Sequence, residues 1–150
     1  ATSNGTNAVY QIGDFNFNYL LRYIMKKIIF TDKAPAPIGP YNQAVLADNT
    51  LYISGQVAFI PGTDNLVLDN IEVETEQVMQ NLKAILEAAD MTFENVVKST
   101  IFIMNMGDFA RINSVYGKYF NEATAPARET VQVSTLPKNV NIEISMIAIK

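Results

Sequence analysis

The sequence predicts an α+β domain: one mixed β-sheet with two helices packed on one of its faces. Three observations carry this. Apolar residues alternate with period two before about Asn70, then repeat every three to four residues, and twice later return to strand-like runs. The resulting order is strands, helix, strand, helix, two strands. The length of 150 residues, 49% of them hydrophobic, suits a single domain with one core.

The first strand is "KKIIF". It leads into "TDKAPAPIGPYNQAV", where Pro35, Pro37 and Pro40 remove donors and force an extended, turn-rich path. "QAVLAD" and "TLYISGQVAFI" then pair as a hairpin through Asp48-Asn49, two turn formers, and "PGTDN" is a further turn. On the first helix Val78, Leu82, Ile85, Leu86 and Ala89 line one face. Glu72, Glu74 and Glu76 crowd its first turns, where the dipole favours acids, and read as a solvated face. "NVVKSTIFIM" is the next strand. Gly107-Asp108 is expected to cap a second helix striped by Phe109, Ile112, Tyr116, Tyr119 and Phe120. "ARETVQVS" and "NIEISMIAIK" complete the sheet, expected to pair as a hairpin through "LPKNV". The strands are apolar on both sides, and no element is left to cover the second sheet face. That face is expected to be buried against another copy.

Several chemistries are excluded. The chain has no cysteine and no histidine, which removes disulfides, thiol nucleophiles, thiolate or imidazole zinc sites and every histidine-based triad. Proton transfer must use Asp, Glu, Lys, Tyr, backbone or water. The net charge of −4, with scattered Lys and Arg, argues against nucleic acid as a partner. No stretch is long and apolar enough to span a membrane. Composition changes at Met25, from Asn-rich to strand-like. Residues 1–24 read as an extension, native or left by cloning, ahead of a domain at 25–150; the alternative is an aromatic arm that docks a partner.

Few residues remain that can carry chemistry. Arg128 and Thr130, two apart on a strand, share a face, and Glu129 points the other way. Glu143 interrupts an isoleucine run. In the expected hairpin Arg128 and Glu143 approach one another, as a salt bridge closing a sheet edge or as a functional pair. Tyr41 follows a Gly-Pro turn. Gly55 stands in mid-strand, where glycine marks a bulge or a close approach of backbone to something else. Asn113 lies within the second helix, by default as a solvated position. There is no Gly-rich phosphate loop, metal-ligand cluster or G-x-S-x-G elbow.

Taken together, "APAPIGPYNQAV", "LYISGQV" and "PARETVQVSTLPKNVNIEI", in that order and spacing, closely resemble the RidA family (YjgF/YER057c/UK114) from about Met25 to Lys150. The last stretch is the most specific. The resemblance implies a chorismate-mutase-like (YjgF-like) fold, assembling as a homotrimer around a barrel-like core with sites in clefts between subunits. It implies cofactor-independent hydrolysis of reactive enamines and imines, such as 2-aminoacrylate/2-iminopropanoate and 2-aminocrotonate/2-iminobutanoate. The products are 2-keto acids and ammonia, and the activity protects pyridoxal-phosphate enzymes in the cytoplasm. It implies no metal. Arg128 is expected to hold the substrate carboxylate, Glu143 to orient water, and Tyr41 to assist. Ser54, Gly55, Asn113 and Thr130 are expected to line the substrate. Two departures stand out: Glu129, where the family residue is usually small, and Thr130, where many members have cysteine. Two other readings remain, a ligand-sensing or holdase-like trimer using the same clefts, and a ribonuclease or translation inhibitor.

Overall fold

The computed structural model describes residues 26–150. The expected boundary at Met25, and with it the choice between extension and docking arm for residues 1–24, lies outside the described residues. Six strands form one sheet: β1 (Lys26–Ile29), β2 (Ala44–Ala47), β3 (Thr50–Gln56), β4 (Val96–Ile103), β5 (Ala127–Gln132) and β6 (Ile142–Ile149). The helices are α1 (Ile71–Ala88) and α2 (Phe109–Tyr116). The strand order is β1-β2-β3-β6-β4-β5, antiparallel throughout except for the parallel pair β4–β5. The β2–β3 hairpin turns at Asp48-Asn49 as expected, with Asp48 in the left-handed region at φ 51°.

One sheet face carries the core. Ile101 and Ile103 of β4, Ile142, Ile144 and Met146 of β6, and Leu51 and Ile53 of β3 are buried with Val78, Leu82, Ile85 and Leu86 of α1. The α1 stripe forms because these positions recur every three or four residues, and Asn70 starts the helix by accepting the Val73 N–H at 3.0 Å. Each such fully buried aliphatic side chain contributes about 1.5–3 kcal/mol through removal from water. The other face, which no described helix covers, is the open face. There Ile28, Tyr52 and Val131 are exposed, and Phe102, Glu143, Ser145 and Ile147 are half-buried.

Three expectations need correction. The last two strands do not form a hairpin. β5 pairs with β4 at one edge, β6 pairs with β4 on the other side, and β4 separates them. The cause is α2: a strand-helix-strand crossover makes β4 and β5 parallel neighbours, and the chain then crosses the sheet end to reach β6. Both ends of that crossing are tied to the end of β4, through Val133 N–H to Ile103 O at 2.9 Å and Met104 N–H to Asn141 O at 3.1 Å.

The start of α2 also differs. A 3-10 turn, Met106–Asp108, precedes it, and Asn105 caps that turn by accepting the Gly107 N–H at 2.9 Å. Asp108 makes no side-chain capping bond. Tyr119 and Phe120 lie beyond the helix and pack edge-on against Phe93, with ring centroids 5.1 and 5.3 Å away.

The first-helix glutamates are not one solvated face. Glu72 is half-exposed and paired bidentately with Arg111, and Glu76 accepts from Tyr119. Glu74 is 0% exposed. It falls within the buried stripe of Ile71, Thr75 and Val78, so helical periodicity places it inside.

Candidate functional site

A cleft of about 400 Å³ opens where β3, the start of β6 and the proline-rich segment meet. It brings together four of the residues singled out in the sequence: Tyr41, Ser54, Gly55 and Glu143. Glu143 sits on the open sheet face beside a bulge in β3 between Ile53 and Gln56. Gly55 lies in that bulge, and a Cβ there would overlap the Glu143 carboxylate and come within 2.8 Å of its Cδ. The glycine therefore serves both readings at once, a bulge and a close approach. Half-burial pushes the Glu143 carboxyl pKa up from its ordinary value, because desolvation disfavours the charge. That shift moves a carboxylate toward acid–base work near neutral pH.

The walls are fixed locally. Tyr41 curls over Gly39, its hydroxyl accepting the Ile38 N–H at 3.3 Å. The Ser54 hydroxyl donates to Asn42 O at 2.6 Å. Sequence reasoning missed Gln43, which is 2% exposed. Its amide accepts the Thr31 N–H at 2.7 Å and donates to the carbonyls of Thr31, Ala34 and Pro35, which binds the proline-rich wall to β2. The only signal in sequence was its place at the end of a segment that cannot satisfy its own backbone. Lys138 was also missed. Among the described residues it is the one cation lining the cleft and Glu143 is the one acid.

Arg128 and Asn113 come together elsewhere. Arg128 Nη1 donates to Asn113 Oδ1 at 2.7 Å, so the helix asparagine is not merely solvated. The guanidinium lies over the rings of Phe109 and Tyr116, 5.6 and 5.0 Å from their centroids. Stacking and one hydrogen bond hold the fork in place, and among the described residues no carboxylate engages its other donors. Burial raises the Tyr116 hydroxyl pKa, opposed by its bond to Ser99 Oγ at 2.8 Å and by the Arg128 charge. Thr130, beside Arg128 on the same face, buries a hydroxyl with no hydrogen-bond partner among the described residues. Glu129 points to the open face and pairs with Lys98 at 2.6 Å, away from Arg128 as alternation requires.

Register settles how the two halves relate. Arg128 aligns with Ser99 and Met146, on the helix face, whereas Glu143 aligns with Phe102 on the open face. Within one chain they do not meet. Among the described residues no three His, Cys, Asp or Glu side chains are grouped to hold a metal. No helix there is long and apolar enough to cross a membrane.

Comparison with known proteins places the chain among relatives. Residues 31–150 match the family described as Endoribonuclease L-PSP. A RutC family protein of Synechocystis is 51% identical over 124 residues, covering 82% of this chain and 95% of that protein. The 2-iminobutanoate/2-iminopropanoate deaminase of Mus musculus is 46% identical over 127 residues, covering 85% and 93%. The crystal structure of E. coli TdcF with bound serine superposes with a TM-score of 0.77 at 40% identity, covering 83% of this chain and 98% of that one. With the family match over residues 31–150 and relatives 46–51% identical over more than four fifths of its length, the chain belongs to the RidA (YjgF/YER057c/UK114) family.

Proposed function

We propose that the protein hydrolyses 2-imino acids, and their enamine tautomers, to 2-keto acids and ammonia, in homotrimers whose sites are shared between copies. The observation that carries this is the division of labour between a planar, aromatic-backed guanidinium and a half-buried carboxylate of raised pKa, on opposite sheet faces. A second copy laid on the open face supplies the missing half. The exposed apolar residues there favour such burial, and three copies is the family's expected number.

The substrate is a carboxylate next to an electrophilic carbon. Arg128 grips the carboxylate with paired donors, Asn113 holds the fork, and Ser54, Gly55 and Thr130 line the remainder. An enamine enters as its imine tautomer. The imine reacts protonated on nitrogen. Glu143 takes a proton from a water placed on the imine carbon as its oxygen bonds to that carbon, and the C–N π pair moves to nitrogen, giving a neutral carbinolamine. Glu143 returns that proton to the amine. The hydroxyl then loses its own proton to Glu143 or to water as its oxygen forms the carbonyl, the C–N bond breaks and ammonia leaves. Tyr41 borders the same space and assists in orienting water. No cofactor takes part.

The named substrates, 2-iminopropanoate and 2-iminobutanoate, fit a cleft of this size, and the deaminase name of the mouse relative supports the class. The role that follows is removal of intermediates released by pyridoxal-phosphate dehydratases in the cytoplasm. The test is keto-acid and ammonia release from an imine generated in situ by an amino-acid dehydratase or oxidase. Turnover above the uncatalysed rate is expected. Saturable binding without turnover would instead favour a ligand-sensing trimer, and cleavage of RNA without imine turnover the ribonuclease reading.

A further inference from the structure

The loop between β5 and β6 carries an unusual conformation. Lys138 and Asn139 are consecutive non-glycine residues in the left-handed region, at φ 59° and 54°. Such backbone costs free energy and persists only where its surroundings over-determine it. Leu136 and Val140 anchor the turn by burial, and Asn139 N–H donates to Leu136 O at 3.1 Å. These contacts hold the turn to itself. The contact that fixes where it exits comes from the other layer.

Glu74 is that contact. Its Oε1 accepts the Asn141 N–H at 2.7 Å and its Oε2 accepts from Asn141 Nδ2 at 2.8 Å. Asn141 O meanwhile accepts the Met104 N–H, so backbone donor, backbone acceptor and side chain of one residue are all engaged. Asn141 directly precedes β6, and Glu143 is the second residue of that strand. On the other side of Asn141 the turn puts Lys138 at the wall of the same cleft. A wholly buried carboxylate with no cation beside it among the described residues is expensive to keep for packing alone, since an apolar residue would serve the α1 stripe better.

We propose that Glu74 is a positioning residue: by clamping Asn141 it sets the strained turn that presents Lys138 and fixes the point from which β6 delivers Glu143 into the cleft. This rests on the deaminase reading above. Arg128 lies on a different strand, so the clamp acts on water activation and leaves carboxylate capture alone. Displacing a group that must hold water by even about 1 Å can lower a rate by up to about a hundredfold.

Donor and acceptor complementarity supplies the test. Asn141→Asp sets two carboxylates against each other and breaks the clamp. Glu74→Leu removes both acceptors while keeping an apolar fit. Glu74→Gln alone keeps two bonds once the Asn141 amide flips, and Glu74→Gln with Asn141→Asp restores two bonds by exchanging the partners' roles. In Asn141→Asp and Glu74→Leu, hydrogen exchange at residues 141–143 is expected to rise about tenfold or more, as a charge-assisted bond is lost. The turnover number should fall about tenfold while keto-acid affinity stays within about twofold. The Gln variant and the double variant should recover both readouts. Faster exchange with parental turnover, unchanged exchange, or no recovery in the double variant would each overturn the positioning role. Absence of turnover in the parent would overturn the deaminase reading itself, a separate result.

Discussion

Arg128 and Glu143 stand on opposite faces of one sheet, with β4 between the strands that bear them. A salt bridge between them within a chain is therefore ruled out by register, and a shared site requires two copies. Complementation checks this. Arg128→Ala and Glu143→Gln should each abolish turnover alone. Co-expressed, they should form mixed trimers in which one interface pairs an intact Arg128 with an intact Glu143, recovering up to about a third of parental activity. A mixture as inactive as either variant, with mixed trimers shown by mass, would put both residues in one copy's site.

Arg128→Lys keeps the charge but loses the fork and its plane over Phe109 and Tyr116. Loss of a charge-assisted contact to the substrate carboxylate should cost on the order of 1.5–3 kcal/mol, roughly ten- to a hundredfold in binding. The Lys variant is expected to melt within a few degrees of the parent and to lose most imine hydrolysis. Parental turnover would remove the carboxylate-clamp role.

Glu143→Gln should separate function from stability. Burial raises the folded-state pKa of Glu143 above its ordinary 4.5. A raised carboxyl pKa contributes stability fully below the unfolded pKa and loses it as pH rises through the folded pKa. The charged form is thus the strained one at neutral pH. The Gln variant should melt at or above the parent at pH 7, with the gap closing toward pH 4, while turnover falls and keto-acid binding persists. A variant less stable at pH 7 than at pH 4, relative to the parent, would show that the carboxylate is stabilised by something other than water.

Much of this was legible in the sequence because local rules and tertiary structure agreed. The β2–β3 hairpin follows from Asp48-Asn49, and the α1 stripe from its periodicity. The β5–β6 hairpin failed because strand pairing is not local: proximity in sequence favours a hairpin, and the α2 crossover claims β5 for β4 first. Asn113 and Glu74 were read as solvated because a polar residue on a helix usually is. For Glu74 the stripe of Ile71, Thr75 and Val78 already said otherwise. Gln43 left no comparable trace, since a side chain that satisfies another segment's carbonyls has no period.

Gly55→Ala tests the tightest contact in the cleft. The atoms a new Cβ would meet belong to the Glu143 side chain, whose far end can swing aside, so the fold should stand. The carboxylate should not keep its place. Turnover is expected to fall at least tenfold, in keeping with the sensitivity of catalysis to small displacements. A smaller loss than about twofold would mean that Glu143 acts from a different rotamer.

Assembly is the expectation on which the shared site depends. The open face carries Ile28, Tyr52 and Val131 exposed and Phe102 and Ile147 half-buried, apolar residues spread over β1, β3, β6, β4 and β5. Light scattering at micromolar protein should give three times the chain mass. Deleting residues 1–24 should leave that mass and the activity unchanged, because the described residues of the cleft and of this face already supply the proposed chemistry and the apolar surface. Tyr52→Glu with Ile147→Lys should then give a folded monomer, since both positions face away from the core and pair across β3 and β6. Its helical circular dichroism should match the parent, and its imine turnover should vanish although Arg128, Glu143 and the cleft walls are all present. Retained turnover in a monomer would show that one copy suffices, and loss of the trimer on truncation would assign the N-terminal arm a structural role.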